Sequence, residues 1–128
     1  MGKGPITGPN MNNTVYDYEW GEVGEERGGP IPGIKEKPLS VDPETGAYTR
    51  FVLFVPGFKF SHALQHPFWE ELLILEGHMI DYGSNTLYTK GSYGLRQPGV
   101  VHGPFGTEIG CTLLETVYYD KKWFEENK

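Results

Sequence analysis

The chain has 128 residues, a formal charge of −6 and a pI near 5.1. That length suits one domain around a single modest core, and the acidic balance argues against a general affinity for nucleic acid or anionic membrane. Eighteen glycines, ten prolines and 14% aromatic residues describe a turn-rich, all-β chain rather than a disordered one. The single cysteine, Cys111, excludes an intramolecular disulfide and a cysteine-built zinc cluster.

At the start, "MGKGPITGPNMNN" lacks the apolar run of a cleavable signal. No later stretch approaches the ~18 apolar residues of a membrane span, so the expected address is the cytoplasm. Residues 1–40 are rich in Gly, Pro and charge. Their prolines exclude a long helix and predict an extended arm with short strands such as "TVYDYEW". Val15, Tyr16, Tyr18, Trp20, Ile31 and Ile34 are too many apolar groups for a solvated tail, so the arm is expected to lie on its own barrel or on a partner subunit. Residues 41–128 are read as one barrel domain. "VDPETGAYTRF" opens a turn at Asp42-Pro43 and closes it at Thr45-Gly46. "YTRFVLFVPGF" is a strand ending at Pro56-Gly57. "EELLILEGHMIDYG" could be helical on propensity alone. Gly77 and the "DYGSN" turn are expected to cut it to strand length, and its apolar run suits a strand buried on both faces. "TLYTKGSYGLRQPG" and "GCTLLETVYYD" continue the series at short spacing, which predicts a sandwich or small barrel. The tail "DKKWFEENK" is expected to form one helical turn held down by Trp123 and Phe124.

Two fragments carry the chemistry. "SHALQHPFWEELLILEG" places two histidines and two adjacent glutamates ahead of an apolar run, either as a metal site or as the polar edge of a core. "RQPGVVHGPF" frames another histidine with turn residues. In the first, His66, three residues, Glu70, six residues and Gly77 follow in order; in the second, Gly91, five residues, Gln97-Pro98-Gly99, two residues and His102. Together these spacings resemble the two motifs of the cupin superfamily over roughly Tyr48 to Tyr119. The likeness is to short single-domain bacterial cupins of the kind also found as the cupin module of zinc-binding anti-sigma factors. The resemblance implies a double-stranded β-helix, the jelly-roll barrel, with an extended N-terminal arm and a short C-terminal helical turn. Two positions depart from the pattern: Leu64 stands where the family's first histidine falls, and Gly106 replaces the final asparagine of the second motif.

The resemblance further implies one divalent ion per subunit held by His66, Glu70 and His102. Such a set leaves open positions and suits Fe(II), Mn(II), Ni(II) or Zn(II). His62 is a possible fourth ligand, but four residues along a strand span about 13 Å, against metal bonds of about 2.1 Å. It could join only if "HALQH" were bulged. Glu71 should face away from Glu70 by strand alternation, unless a bulge after Pro67 reverses the pair. Glu115 sits mid-strand among apolar neighbours, where an unpaired carboxylate is costly; it reaches into the barrel as acid/base or ligand, or lies at an exposed edge. Arg96 either pairs with a carboxylate or grips an anionic substrate. His78 is expected at the surface and Cys111 in the core, while Phe68, Trp69, Phe105 and Tyr93 are expected as core more than as substrate platform. The implied function is a metal-dependent enzyme acting on an oxygen-rich small molecule, of dioxygenase, isomerase or lyase type. The alternative is a non-catalytic metal-binding sensor, and a cupin without metal is the third possibility. Small cupins commonly cover their sheet edges by pairing, so a homodimer is expected.

Overall fold

The computed structural model describes residues 4–5 and 18–119. Twelve strands follow in chain order: β1 (Gly4–Pro5), β2 (Gly21–Glu22), β3 (Ile34–Val41), β4 (Tyr48–Phe54), β5 (Lys59–Phe60), β6 (Leu64–Gln65), β7 (Trp69–Asp81), β8 (Thr86–Thr89), β9 (Tyr93–Arg96), β10 (Val101–His102), β11 (Phe105–Gly106) and β12 (Cys111–Tyr118). Neighbours pair antiparallel in the order β1-β3-β4-β12-β7-β11-β5. In addition β2 lies on β3, β8 and β9 lie on β7, and β6 and β10 form a separate pair. This curled antiparallel sheet is the all-β jelly-roll barrel expected from the sequence.

Alternation decides what lies inside. Along β12, burial switches at every residue, with Cys111, Leu113, Glu115 and Val117 inward. Val23, Ile34, Val52, Phe54, Ile74, Met79, Cys111 and Leu113 form one core cluster. A side chain such as Val52, 1% exposed, contributes about 1.5–3 kcal/mol by leaving water. Asp42 caps the β3–β4 turn as expected: its carbonyl accepts from Gly46 N and its Oδ1 from Glu44 N, at 2.8 and 2.9 Å.

Two elements differ from the sequence reading. β7 is not cut at Gly77; it runs 13 residues through it. Gly77 holds φ +77°, and a Cβ there would lie 2.0 Å from the Gly110 carbonyl oxygen, so no other residue fits this crossing. The register against β12 slips between Thr112 and Leu113, and beyond it β7 pairs with β8 and β11 instead of β9. Gly77 is thus the bend that lets one strand serve both walls. The second difference is in the arm. β3 runs across residue 40 as a full strand of the sheet, while residues 21–33 make β2 and a 3-10 turn at Glu25–Arg27. Val23 and Ile34 sit in the protomer's own core and Ile31 packs against it. Val15, Tyr16 and the expected C-terminal helical turn lie outside the described residues. Among those described, no helix is long and apolar enough to cross a membrane.

Candidate metal centre

Pairing of strands far apart in the chain brings the three candidate ligands together. β6 and β10 set Leu64 opposite His102. Gly99 N donates to the His66 carbonyl at 2.8 Å, and Gln65 Nε2 donates to the Gly99 carbonyl at 2.7 Å, so the Pro98-Gly99 turn is tied to the segment carrying His66. His66 lies just past β6 rather than in a strand, and its ring is held by stacking on Phe68, 4.6 Å between centroids at 8°. Glu70 comes from β7, opposite Arg96 on β9. One donor atom each of His66, Glu70 and His102 then lies within 4.8 Å of the others. Tetrahedral bonds of about 2.1 Å set donors about 3.4 Å apart, so side-chain shifts of up to about 1 Å would close the set on one ion.

The electrostatics suit a cation. Burial lowers the pKa of His66, and burial with help from the Arg96 guanidinium pushes His102 down to about 4, so both imidazoles are neutral donors at neutral pH. His102 Nε2 is buried with no hydrogen-bond partner, although buried polar atoms are nearly always satisfied. Two neutral imidazoles, one of them with an orphaned nitrogen, and a buried carboxylate are a donor set that fits a divalent ion.

Behind Glu70 runs a ladder of charge across the inner face. Arg96 Nη1 donates to Glu70 Oε1 at 2.8 Å. The Glu115 carboxyl faces that of Glu70, and Arg50 Nε donates to Glu115 Oε1 at 2.7 Å. Arg50 Nη1 donates to Glu36 Oε1 at 2.9 Å, and Arg27 Nε to the same atom at 2.7 Å. Burial drives the Glu115 pKa well above the usual carboxylate range, against the pull of Arg50. Burial would also raise Glu36, but hydrogen bonds from Arg27 and Arg50 hold it below its ordinary value.

These side chains form part of the wall of a cavity of about 470 Å³, whose remaining surface is mainly apolar, including Ile31, Phe60, Leu64, Phe68 and Phe105. Glu115 therefore reaches into the barrel, and Arg96 pairs with a carboxylate while lining the cavity. Glu71 faces outward as alternation required, accepting from Tyr93 Oη at 2.6 Å. His62 is not brought into the cluster; it is exposed, edge-on to Phe60 at 6.1 Å. His78 is half-buried rather than at the surface, its Nε2 accepting from Glu108 N at 3.1 Å. Cys111 fills core volume, where burial pushes its thiol up to about 11. Of the four aromatics expected in the core, Phe68 and Phe105 line the cavity. Tyr93 is 60% exposed, and Trp69 stacks on Tyr118 with 6.2 Å between centroids. The sequence reading missed Arg27, Glu36 and Arg50. Arg50 had a signal: Tyr48, Arg50, Val52 and Phe54 alternate along one face of a strand, which puts the arginine on the core side.

A curled antiparallel barrel with two imidazoles and a carboxylate gathered against its cavity is the architecture of a cupin. Residues 14–117 match the ChrR cupin-like domain, and the chain belongs to that family. Among solved structures it is similar to an RmlC-like cupin from Shewanella frigidimarina NCIMB 400, at 18% identity and a TM-score of 0.65, covering 91% of this chain and 96% of that one. It is similar to an acetylacetone dioxygenase from Acinetobacter johnsonii, at 20% identity and a TM-score of 0.58, covering 89% and 86%. The structure of Rhodobacter sphaeroides SigE in complex with the anti-sigma ChrR also matches, at 18% identity and a TM-score of 0.59, covering 83% and 52%. At these identities the likeness establishes the fold. A comparison with curated proteins finds no match.

Proposed function

We propose that the protein is a mononuclear metal enzyme of the non-haem iron type, an oxygenase acting on a small carbonyl compound with an apolar body. One observation carries the reading: two neutral imidazoles and a carboxylate converge on the wall of a mainly apolar cavity. Two histidines and one carboxylate with open positions are the donor set of Fe(II) oxygenases. An ion held by His66, Glu70 and His102 would supply Lewis acidity and, as iron, access to dioxygen.

The chain's own residues do the remainder. Arg96 and Glu115 flank Glu70 and fix its carboxylate before ion or substrate arrives. Arg96 spends one nitrogen on Glu70 and also lines the cavity, where its other N–H groups are placed to meet an oxyanion of the substrate. Ile31, Phe60 and Phe105 exclude water and accept an apolar body. The mainly apolar wall supports a substrate with a few oxygens on a hydrocarbon frame. Similarity in fold to an acetylacetone dioxygenase supports a dicarbonyl of that kind.

The test is elemental analysis of protein purified without added metal or chelator, followed by oxygen uptake by the iron-loaded protein with pentane-2,4-dione. One ion per chain, its loss in His102→Ala, and diketone-dependent oxygen uptake are expected. Full metal content in His102→Ala would remove the site assignment. A second reading, a zinc-binding sensor, is favoured by membership of the ChrR cupin-like family. Tight zinc, no oxygen uptake and ligand-dependent binding of a protein partner would select it.

A further inference from the structure

Beside the main cavity lies a second space of about 250 Å³, and Leu72, Met79, Tyr88, Arg96 and Leu113 line both. Gly94 is part of its wall. Gly94 and Arg96 stand on the inner face of β9, opposite Leu72 and Glu70 of β7. Gly94 carries no side chain into the barrel, and a Cβ built there would meet nothing within 4 Å. Its backbone does not demand glycine, because its φ is not among the positive values. Glycine weakens a strand interior and often marks the close approach of a ligand. At Gly94, then, it keeps space open rather than turning the chain.

Position and chemistry connect this space to the metal centre. The Leu72–Gly94 pair is two residues, about 7 Å, from the Glu70–Arg96 pair along the strands. Arg96 stands at the junction, with Nη1 on Glu70. Beyond it the side chains are mostly apolar, with Leu72, Ile74, Met79 and Leu113 prominent. We infer that this is a side pocket of the centre that takes an alkyl tail of the substrate. The substrate class is then a linear carbonyl compound, with its oxygens at the metal and several carbons under Gly94. The inference rests on the oxygenase reading for the head group and adds the tail and the residue that selects it.

The test compares pentane-2,4-dione with nonane-2,4-dione, which adds four methylenes, by calorimetry on the anaerobic Fe(II)-loaded protein. Each methylene buried should tighten binding about fourfold, so a gain of at least about tenfold is expected for the longer compound. In Gly94→Leu that gain disappears while the protein still binds one iron per chain; Gly94→Ala loses part of it. A gain that survives in Gly94→Leu, or no gain in the unsubstituted protein, overturns the inference. If neither diketone binds, the head-group reading fails, and the pocket is then read separately in crystals under xenon pressure. Xenon beneath Gly94, absent from Gly94→Leu, supports an apolar binding pocket there; no xenon at that position overturns it.

Discussion

Glu36 is the place to break the inner charge ladder. Its side chain is 1% exposed. It accepts from Arg27 Nε and Nη2 and from Arg50 Nη1 at distances between 2.5 and 3.0 Å. In Glu36→Ala, Arg50 keeps Glu115 at 2.7 Å, but among the described residues the only carboxylate left to Arg27 is the largely exposed Glu26. Removing one partner of a buried ion pair costs about 3–5 kcal/mol. Unfolding entropy is about 2.1 cal/mol/K per residue, so over 128 residues that loss lowers Tm by about 11–19 °C. The control is Glu22→Ala, which removes the exposed Lys35 pair and should cost about 1 kcal/mol or less. Urea unfolding followed by tryptophan fluorescence measures both. The pH dependence adds a sign: the Glu36 pKa is depressed in the folded state. Its contribution is therefore complete above its ordinary value of 4.5 and is lost as pH falls through the folded value. The gap between protein and variant should be full at neutral pH and close only in acid below 4.5. A Glu36→Ala variant within 1 kcal/mol of the parent would refute the assignment of these residues as a connected buried network.

The two adjacent glutamates should separate cleanly. Glu70→Ala should abolish stoichiometric metal binding, while Glu71→Ala loses only the Tyr93 hydrogen bond and keeps the ion; metal loss in Glu71→Ala would reverse the face assignment. Leu64 stands opposite His102 and lines the cavity, so Leu64→His should add a donor and tighten zinc by roughly tenfold or more, given that even outer partners of a site are worth 10–100-fold. Unchanged affinity by competitive titration would show that position 64 does not reach the ion. Sedimentation of the intact chain should give about twice 14.4 kDa for the expected homodimer. A 14.4 kDa particle would remove it, in keeping with Ile31 and Ile34 being satisfied inside the protomer.

What the sequence disclosed and what it hid follow from the range of the interactions. Local signals read well. Alternation set Glu70 against Glu71, the Asp42-Pro43 turn was written in its own residues, and the two motif halves kept His66, Glu70 and His102 at telling spacings. Gly77 misled because glycine more often ends a strand than bends it, and the Gly110 backbone that makes glycine obligatory lies 33 positions away. Glu36 gave no signal for a related reason. "IKEKPLSV" has the charge of a surface strand, yet Glu36 faces inward because Arg27 and Arg50 neutralise it there. Those partners are 9 and 14 positions off, and Glu115 is 65 from Arg50. A charged residue on the inner face is intelligible only once its counterion is known, and nothing local in a chain announces a counterion at such a distance.

The same inner wall therefore holds two kinds of polar group, and the contrast between them supports the proposed metal site. Glu36 and Asp81 are satisfied by the chain itself: Glu36 by two guanidiniums, Asp81 by the N–H groups of Ser84 and Gly103 at 3.1 and 3.3 Å. Groups kept for stability look like this, because a buried polar atom left alone costs about 1–3 kcal/mol. Among the described cavity-lining residues His102 Nε2 is the exception, buried and without a partner, and it lies beside His66 and Glu70. Arg96 joins the two populations, binding Glu70 with one nitrogen and lining both cavities with the rest of its side chain. Proteins break the rule of full satisfaction mainly where a ligand completes it. On this wall the ladder from Arg27 to Glu115 holds the fold. The unfinished valence is at His102, beside His66 and Glu70, where an ion would finish it.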